Sequence, residues 1–123
     1  MKAYLVITAL LLTACAGPTV VAPPQAFNGQ ITNQAEFSTI VGRRLTLGDD
    51  FVVINADGTF AGNYGGVETF GTWEFRDGYF CRTVTQGPSG PDPENCQINI
   101  LQGNTLTVKT DRGAGRTVVY TVT

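Results

Sequence analysis

Ten carboxylates, two serines, three cysteines and no histidine are the side chains with which this 123-residue chain could do chemistry. The missing histidine removes Ser-His-Asp and Cys-His nucleophilic catalysis and every histidine metal site. Asp49/Asp50 and Glu68/Glu74 are pairs of the right type for general acid–base work, but nothing in their spacing makes them converge, and charges on turns and strand faces are ordinarily solvated. Ser38 and Ser89 lie in no nucleophile motif. Asn55-Ala56-Asp57-Gly58-Thr59 starts like a calcium loop yet lacks its first and later ligands, so it reads as a hairpin turn. Gly113-Ala114-Gly115-Arg116 could cradle an anion, but no Lys-Ser/Thr pair follows, nor a parallel strand-and-helix pattern; it too reads as a turn. No catalytic set, metal site or cofactor is expected. The aromatics Phe51, Phe60, Trp73, Phe75, Tyr79 and Tyr120 could line a ligand cavity; in a small barrel such residues ordinarily fill the core. The arginines are scattered and matched by acids, and the formal charge is −2, so no nucleic-acid partner is expected.

The cysteines differ in setting. Met1-Lys2 and the apolar run Ala3 to Leu12 have the form of a signal-peptide leader, too short for a membrane-spanning helix. Leu12-Thr13-Ala14-Cys15 follows directly and resembles the bacterial lipobox. That resemblance implies cleavage before Cys15 and diacylglyceryl modification of its thiol. Ala16, where inner-membrane lipoproteins tend to carry Asp, points to the outer membrane and its periplasmic face. Residues 1–14 are then the leader. Residues 15–26, with Pro18, Pro23 and Pro24 and no charge, are a tether of up to ~35 Å. Residues 27–123 are left as one domain. With Cys15 committed to lipid, Cys81 and Cys96 are expected to form a disulfide in an oxidising compartment, contributing ~3 kcal/mol by the chain-entropy model.

These residues must be positioned mainly by strands. Charged residues make up only 15% of the chain and glycines number 15, a composition of short strands and turns. One helix is expected from Gln34 to Val41. Asn33 and Glu36 form a capping box, Phe37, Ile40 and Val41 form an apolar face, and Gly42 ends it. Eight strands follow: 43–47, 51–54, 59–63, 68–76, 79–86, 96–101, 105–110 and 116–122. Short turns join them, with a break in pattern at Gly71 that suggests a bulge. Only the loop Gly87 to Asn95 is long. Short connections join antiparallel neighbours, so the expected fold is mainly β: a small up-and-down barrel or a strongly curved meander with one short N-terminal helix.

Gly42-x-x-Leu45, Asp57-Gly58-Thr59, Gly71-Thr72-Trp73, Asp77-Gly78-x-x-Cys81 and Cys96, in that order, resemble a family of small exported alphaproteobacterial lipoproteins over residues 27–122. Some similar chains carry the name dihydrodipicolinate reductase; the sequence has neither the Gly-x-Gly-x-x-Gly turn nor the βαβ pattern of that enzyme. A looser similarity is to small β-barrel metalloprotease inhibitors, which share export, size, a Gly-x-Trp strand and a nearby disulfide. Those inhibitors insert an N-terminal arm into the protease, where this chain has its lipid-anchored tether. The expectation is a non-enzymatic envelope lipoprotein that binds a protein or a small apolar ligand, with a protease-inhibitor-like module as the alternative and an enzyme of unknown type as a remoter one.

Overall fold

The computed structural model describes residues 27–123; Cys15, the leader and the tether lie outside the described residues. The strands are β1 (Gly29–Ile31), β2 (Arg44–Leu47), β3 (Asp50–Ile54), β4 (Thr59–Tyr64), β5 (Val67–Arg76), β6 (Tyr79–Gln86), β7 (Asp92–Gln102), β8 (Thr105–Lys109) and β9 (Thr117–Val122), with one short helix, α1 (Gln34–Phe37). From β2 onward each strand pairs antiparallel with the next in sequence. The ring closes where β9 meets β2, through Leu45↔Val122 and Thr46↔Thr121. The result is a closed eight-stranded barrel, the tighter of the two expected forms. β1 is a ninth strand that the sequence pattern did not give. It pairs Ile31 with Asn99 on the edge of β7 that β6 vacates after Phe80↔Gln97.

Alternation sends one face of each strand inward. Leu45, Val52, Ile54, Phe60, Trp73, Phe80, Val84, Leu101, Leu106, Val108 and Val122 are buried and form the core with Ile31, Phe37 and Ile40. On β5 the inward set is Thr69, Gly71, Trp73 and Phe75. The expected irregularity at Gly71 is present: the register steps from Phe70↔Gln86 to Gly71↔Val84, so the extra residue, Thr85, belongs to β6. A Cβ at Gly71 would collide with the Thr83 carbonyl and lie 2.8 Å from Phe60 Cζ, so the ring of Phe60 occupies the space a side chain there would need.

The helix is shorter than expected. Asn33 caps it, its Oδ1 accepting from Glu36 N at 2.9 Å, while Glu36 Oε1 accepts from Thr32 N, Thr32 Oγ1 and Asn33 Nδ2. After Phe37 the backbone tightens: Thr39 N donates to Glu36 O and Ile40 N to Phe37 O, three residues back, while the Ser38 and Thr39 hydroxyls bond to Ala35 O and Glu36 O. Two hydroxyl residues competing for helix carbonyls leave a turn instead of a second helical turn. Even so, Phe37 and Ile40 are each 1% exposed and plug one end of the barrel. Phe37 stacks on Phe80 at 4.9 Å and meets Trp73 at 5.0 Å and Phe75 at 5.5 Å.

The long loop is also shorter than expected. β7 begins at Asp92, so the loop is 87–91. Pro93 falls within the loop expected from Gly87 to Asn95. It sits at the register shift between Arg82↔Asn95 and Val84↔Asp92, on a part of β7 whose other edge meets β8 only from Ile98 onward. A proline's missing donor is tolerated at such a bulge and edge. That edge is covered by the turn after β8, where Asp111 N donates to Asn95 Oδ1 and Asn95 Nδ2 to Asp111 Oδ1.

Candidate functional site

The inward faces do not fill the barrel. A cavity of about 330 Å³ lies between the α1 plug and the 87–91 loop. Phe37, Ile40 and Phe80 line its closed end, and Val52, Leu106 and Val108 part of its wall. The exposed residues on its lining, Pro88, Ser89, Asp92 and Arg116, mark where it meets solvent. Strand alternation also carries polar groups inward. Arg82 lies between Phe80 and Val84 on β6, Gln97 and Asn99 follow one another on β7, and Tyr64 and Tyr120 come from β4 and β9.

The two tyrosines span the barrel. Their hydroxyls are 2.7 Å apart. Burial first, and the neighbouring Tyr120 phenol second, push the Tyr64 pKa far above the ordinary tyrosine value. Burial also raises Tyr120, against the opposing pulls of its hydrogen bond with Tyr64 and of the Arg82 charge. An unfolded tyrosine ionises at about pH 10. The stabilisation from keeping both phenols protonated is therefore whole below that pH and is lost as pH rises from there through the folded-state values. The phenolate absorbance contributed by Tyr64 and Tyr120 is expected to rise late and together with unfolding. Tyr64→Phe should flatten the alkaline decline in stability; an unchanged decline would mean that the pair is not buried as described.

Of the six aromatics proposed for a cavity, Phe60 and Tyr120 line it. Trp73 and Phe75 belong to the packed layer around Phe37. Phe51 and Tyr79 face outward, covered by cations: Arg44 lies 3.6 Å from the Phe51 ring centre and Arg112 5.6 Å from that of Tyr79. Their aromatic type suggested the interior; their parity on β3 and β6 puts them outside. Arg82, Asn99 and Gln97 were missed, although the order Phe80-Cys81-Arg82-Thr83-Val84 already placed Arg82 on the face of two apolar residues.

Cys81 and Cys96 face each other across β6 and β7 with their sulfurs at disulfide distance, 2.12 Å. The carboxylate of Glu94 close by is engaged by Arg76, which also bonds Glu74 on the outer wall. Arg76 holds the Glu94 carboxyl below its usual range. The acids considered for acid–base chemistry are not brought together in the cavity. Asp50 caps the turn after β4, its Oδ1 accepting from Gly65 N at 2.8 Å, and among the described residues the one carboxylate lining the cavity is Asp92. Asp57 is occupied within its own turn, accepting from Thr59 N and Thr59 Oγ1, which hold its pKa down.

No protein-family model, curated protein or solved structure matches this chain. A functional reading therefore rests on its own residues. Those give a preformed hollow with a mixed lining, at the small end of the ~300–1,000 Å³ typical of ligand pockets.

Proposed function

We propose that the chain is a non-enzymatic binding module that takes a small, largely apolar ligand into its barrel and is held at the bacterial envelope by lipid on Cys15. The cavity carries the binding half of this reading: about 330 Å³ between plug and loop, with Ile54, Phe60 and Val108 among its walls. A packed core has few voids larger than a water molecule, and this one has room for roughly ten at ~30 Å³ each. The Leu12-to-Cys15 pattern after an apolar leader supports the anchoring half.

The two halves are tested separately. The full chain is expected to bind the neutral fluorophore N-phenyl-1-naphthylamine saturably with one site. Val118→Trp, which fills the hollow from β9, should abolish that binding while the thermal transition persists. Failure of the wild-type chain to bind would overturn the ligand reading. For the anchor, Cys15→Ser should move the protein out of the membrane fraction; identical fractionation of variant and wild type would overturn it.

A further inference from the structure

The buried side-chain atoms on the cavity lining that lack partners are both donors. Arg82 Nη1 and Asn99 Nδ2 are buried with no hydrogen bond in the structure. Asn99 is only 3% exposed, and Arg82 is half-buried with Nη1 as its enclosed nitrogen. No carboxylate among the described residues lies within 4.0 Å of the Arg82 guanidinium. A third donor comes from the tyrosines. One hydroxyl gives its proton to the other, and the accepting hydroxyl keeps a proton of its own to offer.

Such an arrangement is costly when empty. Arginine stays charged in proteins, so it cannot escape burial by neutralising itself. An enclosed guanidinium nitrogen and a buried amide nitrogen each cost more without a partner than with one. Gln97, Asn99 and Arg82 line the same space as Phe60, Val84 and Val108, so polar and apolar side chains share the interior.

We infer that the cavity takes a small amphipathic anion, a carboxylate or phosphate head on a short apolar body, with the head received by Arg82 and Asn99 and the body lying against Phe60 and Val108. This rests on the reading of the cavity as a ligand site. An acceptor-only head group matches these unpartnered donors: its oxygens can take the guanidinium N–H groups, the Asn99 amide N–H and the free phenol proton together. The volume limits the body to a short one, since about 330 Å³ does not enclose a long acyl chain. Arg116 at the mouth adds a positive charge along the way in, beside Asp92.

The test displaces the neutral fluorophore from the full chain with octanol, octanoate and octyl phosphate. Octanoate or octyl phosphate, or both, should displace it at least about tenfold more effectively than octanol, the advantage expected of charge-assisted hydrogen bonds. The better of the two anions then identifies the head group. With fluorophore affinity measured afresh for each variant, Arg82→Met should bring both anions to the level of octanol, and Asn99→Leu should reduce their advantage without removing it. Equal displacement by all three in the wild-type chain would overturn this inference and leave the ligand reading standing, whereas absence of fluorophore binding would overturn that reading itself. An anion advantage that survives Arg82→Met would overturn the placement of the head group.

Discussion

Trp73→Ala is expected to cost about 3–5 kcal/mol, the usual range for removing a large buried aromatic. Set against a total of ~5–15 kcal/mol for a domain, that would leave the barrel marginal. The indole does two jobs. It packs against Phe37 at 5.0 Å and Phe80 at 5.8 Å, closing the plugged end. Its Nε1–H donates to the carbonyls of Asn55 and Thr59, at 2.9 and 3.0 Å, and so fastens the β3–β4 turn to β5. Trp73→Phe separates them. It keeps most of the apolar contact and drops the donor, for about 1–2 kcal/mol. Urea unfolding followed by circular dichroism measures both, since the chain has a single tryptophan and its fluorescence vanishes with it. An alanine variant within 1 kcal/mol of wild type would contradict the packed layer around Phe37.

Loss of the Cys81–Cys96 bond should be nearly as large. The bond spans 15 residues, and closing a loop of that length restricts the unfolded chain by about 3 kcal/mol. At ~4–8 °C per kcal/mol for a domain of this size, the thermal midpoint should fall by roughly 10–25 °C under reducing conditions or in a Cys81→Ala/Cys96→Ala variant. The bond also sits just before the place where β6 and β7 lose register, between Arg82↔Asn95 and Val84↔Asp92. It therefore holds the base of the 87–91 rim. Equal melting with and without reductant would show that β6–β7 pairing alone holds this corner.

Most of the strand plan was legible because its signals are local. Asn55 to Gly58, Asp77-Gly78 and Gly103-Asn104 name their own turns, and the alternation of Leu106 and Val108 or of Val118 and Tyr120 names its own face. What was not legible depends on distant partners. β1 is three residues long, too short to show a period, and exists because Asn99 to Leu101 offers it an edge. The second turn of the helix was lost to the hydroxyls of Ser38 and Thr39, a competition that an apolar pattern at Phe37, Ile40 and Val41 does not reveal. The site was the least legible part. Phe51 and Tyr79 were grouped with the cavity by type, and Arg82 was counted only among scattered arginines matched by acids, whereas parity along β3 and β6 decides all three. The hollow itself depends on how all eight strands coil around it, with Phe60 folded over the bare backbone at Gly71.

The barrel's seams are unequal. From β2 to β9 every seam but one joins strands adjacent in sequence, so seven hairpins can form with short loops to close. The eighth, Leu45↔Val122 and Thr46↔Thr121, unites positions more than seventy residues apart through two register pairs, with Thr123 N donating to Arg44 O at 2.9 Å beside them. Its entropic cost is the greatest and its contact the smallest. In kinetic terms it is the step that topology delays: the meander can assemble first as a curved, open sheet, and locking that last pair of strands converts it to a ring. The same seam lies beside Tyr120, so the final act of folding is also the one that encloses the hollow.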